Sequence, residues 1–338
     1  MTKRKPKAKK RQKIALNPGE VVVMGKPKFA PRDHGWTVTH QTSNIHVIRI
    51  NRNSAANFEQ WILFMADNHH DSKAADHDME RRLLEQALER NAIVCGVGDQ
   101  LDLMQGRSDR RAHKGALRSS LLADNYFDRV IDEAAEFYAP YASCMAVMAT
   151  GNHESAWLRY HESNPTEHLV RAIKDRAVTQ LGAGGYGGYI LFQVRLGGSQ
   201  LAYCVRYQHG TGGGGNSPMS FGVLDTRRMY SWLEGVDSIV ISHNHASNVV
   251  GIAREFLNTH NGVYKIDKRY CDLIRVGTTK DSWIHSQAAG GWEVEKGFGP
   301  SPCRQKWVRL FIRWEGTKST SGKMSGRPRL CWEVMDAQ

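Results

Sequence analysis

The chain has 338 residues with 41% hydrophobic and 24% charged positions, the balance of a globular protein able to bury one large core or two smaller ones. Its longest apolar runs, such as Trp61–Ala66 and Cys144–Ala149, are strand-sized, which excludes a membrane-spanning helix. The formal net charge is +12 at a sequence pI near 9.5, a balance that suits either a solubilising basic segment or an anionic partner.

Eight of the basic residues (Lys3, Arg4, Lys5, Lys7, Lys9, Lys10, Arg11, Lys13) crowd the start of the chain, and no apolar stretch follows them as a signal peptide would require. A cytoplasmic location is expected. Residues 1–16 read as a basic, flexible tail, either a solubilising segment or an arm for nucleic acid, whose phosphates would release counterions on contact. The six cysteines are scattered without Cys-x-x-Cys pairs and suit reduced core thiols.

Residues 17–59 contain two β-like pieces, Val21–Met24 and Ile45–Ile50, and read as a small β extension packed on the main domain. The main domain, 60–281, starts with a buried-type strand at Gln60–Ala66 that ends in Asp67-Asn68-His69-His70-Asp71. A helix is predicted over Asp76–Asn91, with Met79, Leu83, Leu84, Ala87 and Leu88 at helical spacing. The strand Ala92–Val97 then delivers Gly98-Asp99-Gln100-Leu101-Asp102. An arginine-rich loop, Gln105–Ser119, leads to a helix at Leu121–Tyr138 and to the strand Cys144–Ala149. That strand closes on Thr150-Gly151-Asn152-His153-Glu154, with a helix expected from Ser155.

A further helix is expected over Thr166–Leu181, stopped by the glycines of Gly182–Gly188. The hairpin Ile190–Leu196 and Leu201–Tyr207 brings His209 to the glycine run Gly210–Gly215. A helix at Val223–Leu233 and a strand at Ser238–Ile241 lead to Ser242-His243-Asn244-His245, and strands follow at Asn248–Ala253 and Leu273–Val276. Residues 282–338 form a Trp-rich β extension with a flexible end.

Five polar clusters therefore follow five strand-like runs: Asp67-x-His69, Gly98-Asp99-x-x-Asp102, Gly151-Asn152-His153-Glu154, His209, and His243-x-His245. In an x-separated pair an extended backbone would point both side chains the same way. The set mixes imidazole, carboxylate and amide oxygen without thiolate, which suits Mn²⁺, Fe, Zn²⁺ or Mg²⁺. Its candidate ligands outnumber what one ion needs, so two ions are expected.

In their order and type these clusters resemble the calcineurin-like metallophosphoesterases. The resemblance covers residues 67–245. It implies an α/β (α+β) fold, a four-layer β-sandwich flanked by helices, and two divalent ions with manganese the first choice. It further implies that Asp67, His69, Asp99 and His245 hold one ion and that Asp99, Asn152, His209 and His243 hold the other. A metal-bridging hydroxide would attack phosphorus, with His153 acting on the substrate and Glu154 orienting His153. Asp102 and His70 would support the ligands from outside. Ser242 departs from the usual glycine before His-x-His. Thr150 stands where phosphoprotein phosphatases carry an arginine, and Asp102-Leu103-Met104 replaces their Asp-Arg-Gly, which argues against a phosphoprotein substrate.

The expected activity is hydrolysis of nucleic-acid phosphodiesters, with Arg107, Arg110, Arg111, Lys114 and Arg118 as candidate substrate contacts. A phosphatase or phosphodiesterase for small nucleotides, and a non-catalytic metal-bound nucleic-acid binder, are the alternatives.

Overall fold

The protein is described here by a computed structural model covering residues 29, 33–55, 57–105, 117–210, 223–259, 262, 264–281, 304–318 and 324–337. The basic tail 1–16, the run Val21–Met24, the loop cations Arg107, Arg110, Arg111 and Lys114, the glycines 212–215, and Trp283 and Trp292 lie outside the described residues.

In chain order, β1 (Trp36–Thr42) and β2 (Ile45–Arg52) form a hairpin, and β3 (Glu59–Met65) follows. Helix α1 (His77–Glu89) begins where the Asp76 side chain accepts the Met79 amide at 2.8 Å, and its apolar stripe Met79, Leu83, Leu84 and Ala87 is buried. The strand β4 (Ile93–Gly96) comes next. Helix α2 (Tyr126–Tyr138) precedes β5 (Met145–Ala149), and α3 (Asn152–His161) and α4 (Pro165–Arg176) follow it. The chain continues through β6 (Gly182–Gly184), β7 (Gly187–Leu196), β8 (Ser199–Gln208), α5 (Val223–Trp232) and β9 (Ser238–Ile241). It ends in β10 (Asn248–Asn258), β11 (Lys265–Arg275), β12 (Gln305–Lys318) and β13 (Met324–Ala337).

These strands make two mixed sheets, one of seven strands ordered β1-β2-β7-β8-β9-β11-β10 and one of six ordered β13-β12-β3-β4-β5-β6. Within the six-stranded sheet, β3, β4, β5 and β6 run parallel; within the other, β8, β9 and β11 do. The predominantly apolar runs become β4, β5 and β9, every residue of which is buried, because both of their faces are covered.

Three apolar clusters show the layering. One packs Leu83, Leu84, Ala134, Tyr138, Leu169 and Ile173 of the helices against the six-stranded sheet. A second joins Phe64, Cys95 and Val147 to Ile48, Phe192, Tyr203 and Val240, and so fills the space between the sheets. A third sets Met229 and Tyr230 against Ile239 and Leu273. The molecule is a mixed α/β protein with helices outside two facing sheets.

Several expectations are corrected. The segment 17–59 contributes β1 and β2 as integral strands, since β2 pairs in parallel with β7 along eight positions from Ile45 to Arg52. The C-terminal part likewise enters the six-stranded sheet, where β12 pairs with β3, and β13 pairs with β12 up to Ala337. Helix α2 begins at Tyr126, not Leu121, because a short 3-10 turn at Ser119–Leu121 comes first. Helix α4 stops at Arg176 rather than Leu181, and Gly182–Gly184 form a strand beside β5. Helix α3 starts at Asn152, so the polar motif is its first turn. Among the described residues no helix is long and apolar enough to cross a membrane.

Candidate metal centre

The loops that follow β3, β4, β5, β8 and β9 converge, as loops at the C-terminal ends of parallel strands do. Their backbone is not extended. Asp67, His69, Asp99, His243 and His245 have φ of 52°, 47°, 50°, 80° and 58°, the left-handed region that L side chains seldom enter. The convergence of Asp67 with His69, and of His243 with His245, therefore comes from left-handed turns and not from β alternation. Such conformations persist only where the surroundings hold them. Here the amides of Asp67, His69 and His70 donate to the carbonyls of Gly98, Asp99 and Gln100 at 3.1, 3.0 and 2.8 Å, tying the first loop to the second. The Thr278 hydroxyl adds a bond to the Asp67 carbonyl at 2.6 Å.

The second and third loops meet through two glycines. A Cβ on Gly151 would lie 2.1 Å from Oδ1 of Asp99, and one on Gly98, at φ 98°, would lie 2.8 Å from the Gly151 Cα. Only glycine permits this approach.

Two groups of side chains gather on this frame. Asp67, His69 and His245 form one, and Asp99, His209 and His243 the other, each with its donor atoms within 4.8 Å of one another. Nε2 of His69 and Nε2 of His245 face each other at 3.2 Å. Nε2 of His209 lies 3.0 Å from Oδ2 of Asp99 and 2.9 Å from Oδ1 of Asn152, and Nδ1 of His243 lies 2.6 Å from that same amide oxygen. Oδ1 of Asp67 is 3.8 Å from Nε2 of His245 and 3.9 Å from Nε2 of His209, and it is buried without a hydrogen bond. At the edge of the cluster, the first turn of α3 directs the His153 amide to Oδ1 of Asp99 at 2.9 Å, and the His153 ring sets Nε2 3.8 Å from Oδ2 of Asp99.

The donor set fits divalent cations. Burial holds His69 and His245 below the usual imidazole range and His243 down to about 4, so these rings are neutral and present lone pairs. Burial, reinforced by Asp99 and opposed by His209, lifts Asp67 to about 7. Against the cost of its own burial, His209 is raised to about 10 by the charge and hydrogen bond of Asp99. A buried cluster whose carboxylates favour the binding of protons would favour cations as well, and the Asp67 oxygen buried without a hydrogen bond points to the same need. These buried His and Asp groups could hold metal ions.

The surrounding residues depart in part from expectation. Glu154 does not touch His153 in any described contact. Its carboxylate accepts the amides of Asp99 at 3.2 Å, Gly151 at 2.8 Å and Leu101 at 3.0 Å, so it braces the second loop against the start of α3. It does so because the N3 position of a helix faces the orphan amides of the N-terminus. The His153 ring is instead held through Nδ1 by the main-chain carbonyl of Asp102. Oδ1 of Asp102 lies 2.8 Å from Nδ1 of His69 and 3.4 Å from Nζ of Lys280.

His70 turns away from the cluster. Its Nδ1 meets Oε2 of Glu80 at 2.9 Å beside His77 and Phe137, while Oε1 of Glu80 accepts from Asn68 at 2.6 Å and from the Tyr138 hydroxyl. Asp71 accepts the Leu103 amide at 3.1 Å and the Tyr126 hydroxyl at 2.6 Å. Arg118, read as a substrate contact, is engaged within the fold: it binds Glu133 and donates to the His70 carbonyl at 3.1 Å.

Sequence reasoning missed four contributors. Thr278 and Lys280 follow β11, and polar residues at a parallel strand's end were the signal available for them. Tyr186 packs edge-on to His209 and donates to the Gly210 carbonyl at 2.6 Å, and buried Arg275 donates to the Ser242 carbonyl at 3.0 Å. Neither belongs to a motif. Ser242 itself donates to the carbonyls of Val97 and His209, both at 3.1 Å, a link that glycine could not make.

Compared with family models and with curated proteins, the chain matches none.

Proposed function

We propose that this protein is a metal-dependent phosphoesterase of the calcineurin-like kind, acting on the phosphodiester bonds of nucleic acid. The observation that carries this reading is the meeting of Asp67, His69, Asp99, Asn152, His209, His243 and His245 in one buried cluster with His153 at its edge.

In this reading Asp67, His69 and His245 would hold one divalent ion and Asn152, His209 and His243 the other, with Asp99 available to both and manganese the first candidate. Bound there, the ions would polarise the phosphoryl group and lower the pKa of water. The protein's own part is orientation. With Nδ1 tied to the Asp102 carbonyl, His153 turns Nε2 to the substrate and, as the imidazolium, gives its proton to the leaving oxygen. Asp102 fixes the His69 ring so that Nε2 faces the cluster. Glu154 keeps Asp99 in register with α3. The net charge of +12, concentrated at the start of the chain, supports a polyanionic substrate.

The test is a panel of a bis-aryl phosphate diester, an aryl monoester, DNA and RNA, assayed with Mn²⁺, Mg²⁺ and Zn²⁺ and with His153→Ala in parallel. Chelator-sensitive cleavage of the diester and of nucleic acid is expected. Cleavage of the monoester or of small nucleotides alone would move the substrate to that class. Metal-tight binding of nucleic acid without turnover would make the protein a binder.

A further inference from the structure

A cavity of about 560 Å³ opens beside the candidate metal centre, a size suited to a small organic group. Leu121, Leu122, Tyr126, Phe127 and Trp157 form much of its wall.

Two connections place it on the His153 side of the cluster. Trp157 lies four residues beyond His153 on α3, which puts both on one face of that helix, one turn apart. The Tyr126 hydroxyl donates to Oδ2 of Asp71 at 2.6 Å; Asp71 also accepts the Asp102 amide at 2.5 Å, and the Asp102 carbonyl holds His153. The wall is rigid as well as flat: Trp157 stacks on Phe127 at 4.9 Å and 11°, and His161 approaches it at 4.1 Å.

The charge of the lining decides what can enter. Among the described residues the lining carries the exposed carboxylates Asp124 and Asp128 and the Tyr126 phenol, with no lysine, arginine or histidine. Asp124 and Asp128 disfavour a phosphate beside them. A phosphoester has an anionic centre and an uncharged organic part, and the metal cluster answers only the first. A flat, uncharged heterocycle fits the second, with its ring against aromatic and leucine side chains and its N–H groups toward the carboxylates.

We propose that this cavity is a nucleobase subsite that seats the base next to the scissile phosphoester. The proposal rests on the phosphoesterase reading for the position of the phosphate, and it names the part of the substrate recognised beyond it.

Binding can be tested apart from catalysis. Adenosine, which carries no phosphate, is titrated into the full-length magnesium-loaded protein and followed by NMR saturation transfer. Saturation transfer to the base protons is expected. It should be lost in Leu122→Trp, a cavity-filling change at a position 54% exposed that the fold can accept, as checked by an unchanged melting temperature. Phe127→Leu, a milder variant, should weaken it several-fold.

In the kinetic arm, adenosine 5′-(p-nitrophenyl) phosphate is compared with methyl p-nitrophenyl phosphate, which shares the leaving group. The native protein should prefer the adenosine ester by about tenfold or more in kcat/KM. Leu122→Trp should erase that preference through KM and leave the methyl ester within about twofold. Absence of saturation transfer, an unaltered signal in Leu122→Trp, or equal loss on both esters would overturn the subsite. Adenosine binding with neither ester cleaved would remove the hydrolase reading and keep the subsite. Brisk methyl-ester cleavage without adenosine binding would do the reverse.

Discussion

Asp102 and His69 are joined at 2.8 Å, Oδ1 to Nδ1, and the main-chain carbonyl of the same aspartate receives Nδ1 of His153. One residue thus sets the orientation of two imidazoles with different proposed tasks, one toward a metal and one toward substrate. Lys280 and His69, against the cost of burial, keep the Asp102 carboxyl well below the usual range, so it stays an acceptor. Asp102→Ala should lower metal affinity by about 10- to 100-fold, the cost of losing a ligand's outer partner. Calorimetric titration of the metal-free protein with Mn²⁺ checks this, and an unchanged affinity would remove Asp102 from the assembly.

Glu154 satisfies three buried amides that belong to two loops. Replacing it by alanine leaves those donors unmatched, with an expected loss of about 3–5 kcal/mol in a urea melt. Were Glu154 only a partner for His153, turnover would fall and stability would hold.

His153→Ala should behave in the opposite way. Its ring is at the edge of the cluster, and its backbone contact with Asp99 survives the substitution. Turnover should drop by about 10²- to 10⁴-fold while metal content is retained. Metal analysis of the purified variant, set beside kcat, separates this outcome from a collapsed site.

The pH dependence of the metal-free protein follows from the direction of each shift. Asp67 is raised to about 7, Glu154 to about 8 by burial and the Asp99 charge, and His209 to about 10 against its burial. Each raised group binds more protons folded than unfolded, so the stability it contributes is lost as pH rises toward its folded value. The lowered His69, His243 and His245 act the other way, but only below their ordinary value of 6.5. Above about pH 7 the first set remains, and stability without metal should fall as pH increases. Divalent ions bound at this cluster would replace those protons, so the rise in melting temperature on adding Mn²⁺ should grow over the same window. A metal effect that shrinks from pH 7 to 9 would contradict this.

The first 13 residues carry eight cations, whereas Arg118 is bound to Glu133 and to the His70 carbonyl. Deleting residues 1–13 should weaken DNA or RNA binding and flatten the slope of log affinity against log salt. Arg118→Ala should instead lower the melting temperature and leave that slope nearly unchanged. Fluorescence anisotropy at several salt concentrations distinguishes the two.

The mixed α/β fold was readable in the chain because apolar runs of strand length alternate with stretches of helical spacing, and that pattern reports burial directly. The residues of the site were readable for a related reason. Polar residues of ligand type interrupt the chain just where those buried strands end, after Met65, Gly96, Ala149, Gln208 and Ile241. Local pattern could not show which strands pair. The joining of β2 to β7 and of β12 to β3 depends on contacts between residues far apart in the chain, so two segments that looked peripheral are strands of the central sheets.

Only the tertiary structure decided how the candidate ligands meet. Left-handed backbone at Asp67, His69, Asp99, His243 and His245 is held by amides and carbonyls of neighbouring loops, and no sequence spacing encodes that support. It also decided the tasks of Glu154 and Asp102, adjacent to or near His153 in sequence, because a carboxylate goes to whichever buried donors lack an acceptor. The chain itself determined which chemistry is available; the packing of five loops determined which atoms face one another.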